Sequence, residues 1–120
     1  TDFGLIIKDA IAGGYDERLD TSIGLVAMLL GGPVKKKLPL GLEASPVTHV
    51  TAKSAPSLLV FGAKDTLVTP VQGTNLFTAM KKAGATVELL ALPNTGHNSV
   101  NKETVERALV WTDRALGVKR

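Results

Sequence analysis

Residues 57–97 read SLLVFGAKDTLVTPVQGTNLFTAMKKAGATVELLALPNTGH. Leu58, Leu59, Val60 and Phe61 follow one another without a polar break, and Gly62 ends the run. A continuous apolar run of this length predicts a strand covered on both faces, as in a parallel sheet. From Pro70 to Ala83 the periodicity turns helical. Proline suits a first helical turn, and Leu76, Phe77, Met80 and Ala83 share one face before Gly84 closes the segment. Thr86 to Leu92 returns to β-branched and aliphatic residues, a second strand stopped by Pro93. A last helix is expected from Lys102 to Leu116, with Val105, Ala108, Leu109, Thr112 and Leu116 as its inner stripe. Strand, helix, strand, helix implies two parallel strands joined by a right-handed crossover.

A two-stranded parallel sheet is too small to stand alone, and its open edges are templates for further pairing. The fold class is therefore α/β, with this chain as the C-terminal portion of a doubly wound parallel sheet. A missing N-terminal portion, a second chain or self-association is expected to complete it. The first residue is Thr1 rather than Met; removal of Met or cleavage of a tag is one reading, and residues missing upstream are the expected one. Outward from the deciding stretch, residues 1–56 form a helix-and-loop segment and 57–120 the strand–helix half of one partial domain. Leu5 to Ala12 is a short apolar helix stopped by Gly13-Gly14. Asp20-Thr21-Ser22 caps a second helix through Leu30, ended by Gly31-Gly32-Pro33. Pro39 and Pro46 are expected to break the stretch between that helix and the first strand into turns.

Composition narrows the function classes. Of 120 residues, 44% are hydrophobic and 21% charged, which places the chain among globular proteins. The apolar run Gly24 to Leu30 is too short to span a bilayer, and no signal peptide is visible. Cysteine is absent, so disulfide and thiol chemistry are excluded and a cytoplasmic location is expected. Two histidines, His49 and His97, form no cluster with metal-ligand spacing, so no metal is expected. The net charge of +3 is weak, and five aromatic residues do not interleave with the single basic run, Lys35-Lys36-Lys37. Nucleic-acid binding is not expected on that basis. The lysine run reads as a solvated loop.

Chemistry gathers after the two strands. Asp65 lies in the loop behind the first and His97 in the loop behind the second, 32 residues apart. In open parallel sheets, reactive groups collect at the carboxyl ends of the strands, so both side chains emerge on one edge. A carboxylate beside an imidazole fixes its tautomer and stabilises the imidazolium formed when the ring accepts a proton. Taken alone, Asp65 reads as a residue turning the loop or capping the next helix, and His97 as a loop histidine. Taken together, they read as the acid and the base of a nucleophilic relay. His49 has no partner at useful spacing and reads as a surface residue, Trp111 as a packing anchor, and Ser99 as a local hydrogen-bonding residue.

Gly62-x-x-Asp65-x-x-Val68-x-Pro70 resembles the acid loop of α/β-hydrolases, and Gly96-His97 resembles their histidine loop. The order, acid before histidine, is that of the family. Ala44-Ser45-Pro46-Val47-Thr48 with Ala55-Pro56 is similar to the stretch before the acid strand in acetyl-esterase and hormone-sensitive-lipase-like enzymes. Thr1-Asp2-Phe3 resembles the segment after their sixth strand. The resemblance covers nearly the whole chain and maps it to the family's last third.

It implies a serine carboxylic-ester hydrolase acting on a small ester without a cofactor, with Asp65 and His97 catalytic and Val68 and Asn98 lining the acyl pocket. Prolyl-oligopeptidase-like serine peptidases share both loops and are the alternative enzyme. The departures are specific. No Gly-x-Ser-x-Gly nucleophile turn occurs; Ser22, Ser45, Ser54, Ser57 and Ser99 all lie in other contexts. The glycine-rich oxyanion segment is also absent, and Phe61-Gly62 stands where many relatives have His-Gly. The chain is accordingly expected to be inactive alone. A truncated, non-catalytic module associating through its sheet edge is the reading from a different functional class.

Overall fold

A computed structural model describes residues 2–14 and 21–119. Two compact units divide between His49 and Val50. The expected caps at Asp20 and the resemblance at Thr1 lie outside the described residues.

The first unit is helical. Helix α1 spans Phe3–Ala12, and the Asp2 carboxylate accepts the Leu5 amide at 2.9 Å, satisfying one of the free donors of the first turn. Helix α2 spans Thr21–Leu30 and α3 spans Leu38–Glu43, with single 3₁₀ turns at Val34–Lys36 and Pro46–His49. Ile7 and Ala10 of α1 pack with Ile23, Val26 and Leu30 of α2 and with Val34. Pro39 does not break the chain, contrary to the sequence reading. It sits in the first turn of α3, where its missing N–H has no helical acceptor to lose. Ser45 is fully buried; its Oγ donates to the Gly41 carbonyl at 2.6 Å and accepts the Gly4 amide at 3.2 Å.

The second unit carries the sheet. Strand β1, Ser57–Gly62, runs parallel to β2, Val87–Leu92, in register from Ser57 opposite Val87 to Gly62 opposite Leu92. Helix α4, Val71–Ala83, joins them and ends at Gly84 in the left-handed conformation, φ +80°. Side chains alternate across a sheet. Leu59 and Val87 therefore share one face, and they pack there with Leu76, Phe77 and Met80 of α4.

The other face meets α5, Lys102–Leu116. Leu58, Leu90, Val110 and Trp111 line a shallow cleft between sheet and helix, and Arg114 pairs with Glu88 at its mouth. Of the expected stripe Ala108 is half-buried, as is Trp111 on a neighbouring position, while Val110 in the cleft is 71% exposed. Val105, Leu109 and Leu116 remain 46%, 49% and 71% exposed. Trp111 acts as the packing residue the sequence reading made it.

The sheet has two strands, so each has one free edge among the described residues. β1 is only half-buried along most of its length, although its composition suits full cover. Among the described residues no helix is long and apolar enough to cross a membrane.

Candidate active site

Strand β1 delivers a four-residue turn from Gly62 to Asp65, closed by the Asp65 amide donating to the Gly62 carbonyl at 3.1 Å. Strand β2 delivers a matching loop that crosses beside it. The Ala63 amide donates to the Leu92 carbonyl at 2.9 Å, and the Lys64 amide donates to the Thr95 carbonyl at 3.0 Å. These two bonds stitch the loops together beyond the end of the sheet ladder. Gly62 makes the crossing possible. A Cβ there would stand 2.1 Å from the Gly96 carbonyl oxygen and 2.2 Å from that of Thr95, well inside contact distance. The glycine ahead of the acid therefore serves the histidine loop, which uses the space a side chain would fill.

Within this frame, His97 Nδ1 lies 2.9 Å from Asp65 Oδ2. Asp65 is 8% exposed while the His97 ring is 57% exposed. The other carboxylate oxygen, Oδ1, accepts the backbone amides of Leu67 and Val68, each at 2.9 Å. One oxygen thus turns the loop, and the other holds the imidazole. Burial pushes the Asp65 pKa up. The Val68 amide, the His97 ring, the Leu67 amide and the His97 charge together outweigh burial, so its pKa is lowered below the ordinary carboxylate value. An ionised carboxylate is an acceptor only, so Nδ1 must carry the proton. That tautomer leaves Nε2 with a lone pair, on a ring more than half open to solvent. The pair is chemically a positioned general base with an oriented partner.

The other candidate residues sit around this pair or apart from it. Val68 joins the acid loop through its backbone amide, and its side chain is 37% exposed. Asn98 is exposed beside His97. Sequence reasoning named neither the Leu67 amide nor the Thr95 carbonyl, because backbone groups leave no mark on residue identity. An Asp followed by a turn is the available signal for such amide donors. His49, in the other unit, sets its Nε2 against the Glu43 carbonyl at the surface. Among the described residues no group of His, Cys, Asp or Glu is arranged to hold a metal ion.

Parallel strands with an acid loop and a histidine loop at their carboxyl ends define the closing portion of an α/β-hydrolase sheet. Residues 16–119 match the Peptidase_S9 profile, the prolyl oligopeptidase family, and the chain belongs to that family. Over 55 residues the chain is 33% identical to an acylamino-acid-releasing enzyme of Arabidopsis thaliana, an overlap of 46% of this chain and 7% of that protein. In fold it is similar to a solved structure titled bifunctional GH43-CE, from Bacteroides eggerthii. The TM-score is 0.65 at 21% identity, covering 71% of this chain and 12% of that one. The chain thus spans a small fraction of the length of both relatives.

Proposed function

We propose that these residues supply the acid and the base of a serine acyl hydrolase, with Asp65 orienting His97 and His97 moving the proton. The observation that carries this reading is the 2.9 Å contact between His97 Nδ1 and the buried Asp65 carboxylate, on loops that follow adjacent parallel strands. The serine belongs to a part of the protein, or to a partner chain, outside these residues. As its Oγ bonds to the acyl carbon, its proton passes to His97 Nε2, and the imidazolium gains the Asp65 carboxylate as a counter-charge. The same proton then goes to the leaving nitrogen or oxygen as its bond to the acyl carbon breaks. Water repeats the sequence on the acyl-enzyme and returns the serine. Val68 and Asn98, flanking the pair, are the proposed walls of the acyl site.

Between an amide and an ester substrate, membership of the prolyl oligopeptidase family and the similarity to an acylamino-acid-releasing enzyme favour the amide. The preferred substrate class is a peptide or an acylated amino acid. The carboxylesterase reading keeps the same residues in the same roles and rests on the Ser45-Pro46-Val47-Thr48 resemblance. The test is hydrolysis of an N-acetyl-aminoacyl p-nitroanilide and of p-nitrophenyl acetate by the polypeptide whose reading frame contains these residues. Cleavage of the anilide that disappears in His97→Ala supports the proposal. Cleavage of the ester alone favours the esterase, and activity indifferent to His97 overturns both.

A further inference from the structure

We infer that Thr104 is a positioning residue for His97, linking the histidine loop to the first turn of α5; the inference rests on the triad reading above. Thr104 is 5% exposed, one of few buried polar residues in the second unit, and no step of the proposed chemistry uses it. Part of its role is a capping box. Its amide donates to Asn101 Oδ1 at 2.9 Å, and its Oγ1 accepts the Asn101 amide at 2.9 Å. The hydroxyl does more than close that box. Its single proton is shared between the Ser99 carbonyl at 3.0 Å and the Asn101 carbonyl at 2.9 Å.

Ser99 is the link to the imidazole. Its amide donates to the His97 carbonyl at 3.1 Å. The path from helix to base is therefore Thr104 Oγ1, the Ser99 carbonyl, the Ser99 amide and the His97 carbonyl, with no flexible side chain between. The His97 ring is held at one atom only, Nδ1, and is otherwise more than half exposed. A ring fixed at one atom keeps its direction only if its backbone is fixed too. On the other side of His97, the Thr95 carbonyl is held by the Lys64 amide. The Thr104 hydroxyl holds the following side at the Ser99 carbonyl; without it the remaining ties to α5 are at Asn101, two residues further along.

The test reads the His97 Nδ1–H proton by nuclear magnetic resonance in the purified chain, with hydrogen exchange of the β1 and β2 amides reporting the fold. Thr104→Val keeps the shape and removes the hydroxyl. Thr104→Ser restores both bonds. Asn101→Ala removes the other half of the capping box and leaves the Thr104 hydroxyl facing the Ser99 carbonyl. If Thr104 positions His97, exchange of the Nδ1 proton is about tenfold faster in Thr104→Val, the change expected from one lost hydrogen bond, and normal in Thr104→Ser and Asn101→Ala. Equal acceleration in Thr104→Val and Asn101→Ala would show that helix capping alone matters, and no acceleration in Thr104→Val would also overturn the inference. Should valine prevent folding, Thr104→Cys, a weaker donor of similar size, is read by the same criterion. Because the readout is the proton and not turnover, a correct result here with no hydrolase activity in the whole polypeptide would sink the triad reading and leave the positioning intact.

Discussion

Asp65 does two jobs with two oxygens, and both bear on its response to acid. Its pKa is lowered in the folded chain, so it stabilises the fold fully above the ordinary carboxylate value of 3.8. That contribution is lost as pH falls through this value toward the lowered one, because protonation removes the charge that the Leu67 and Val68 amides and His97 favour. Thermal melts from pH 7 down to pH 2 are expected to show an acid-limb loss that Asp65→Asn lacks. Asparagine also presents an amide nitrogen that can face Nδ1 and favour the wrong imidazole tautomer. In the whole enzyme, Asp65→Asn is expected to lower kcat by roughly 10⁴-fold with little change in KM, by the arithmetic of serine triads. Steady-state kinetics on the amide substrate check this. The pairing itself was legible in the sequence, since two loops behind two strands had to open on one edge. The amide cradle was not, because any residue at 67 and 68 carries the same N–H.

At the level of elements, the crossing of the two loops depends on Gly62. Gly62→Ala places a methyl group against the carbonyl oxygens of Gly96 and Thr95, and one loop must move. Overpacking of this kind costs about 1–3 kcal/mol. Chemical denaturation should report that loss, and activity should fall further than stability, because the displaced loop carries His97. Strands, crossover helix and the span of α5 were all legible from periodicity and from glycine and proline stops. The facing of α5 was legible only in part. Periodicity gives the most apolar stripe, Val105, Leu109 and Leu116, but that stripe meets the sheet only if nothing else competes for it. Ala108 of that stripe and Trp111 beside it are half-buried, while Val105, Leu109 and Leu116 stay exposed. Pro39 was misread: a proline ends a helix in its interior and starts one at its first turn.

For the whole molecule, the sheet sets the limits. Among the described residues, two parallel strands with free edges and a helix that keeps Val105, Leu109 and Leu116 exposed offer both open hydrogen-bonding groups and apolar side chains for further pairing. The isolated chain is expected to self-associate, and sedimentation at micromolar concentration should show species larger than a monomer. A monodisperse, fully folded monomer would contradict the open-edge argument. The same incompleteness predicts that the chain alone does not hydrolyse p-nitrophenyl acetate above the level of its His97→Ala variant. Family membership was legible at the level of fold, from the acid and histidine loops together. The division between esterase and peptidase was not, because those loops serve both chemistries. The most direct measurement of the central claim is the rate at which a fluorophosphonate labels the serine of the whole polypeptide, in the wild type and in His97→Ala and Asp65→Asn. Rapid labelling is expected in the wild type, and both substitutions should slow it by at least about a hundredfold, the low end for loss of a positioned general base. Labelling at an unchanged rate in either variant would contradict it.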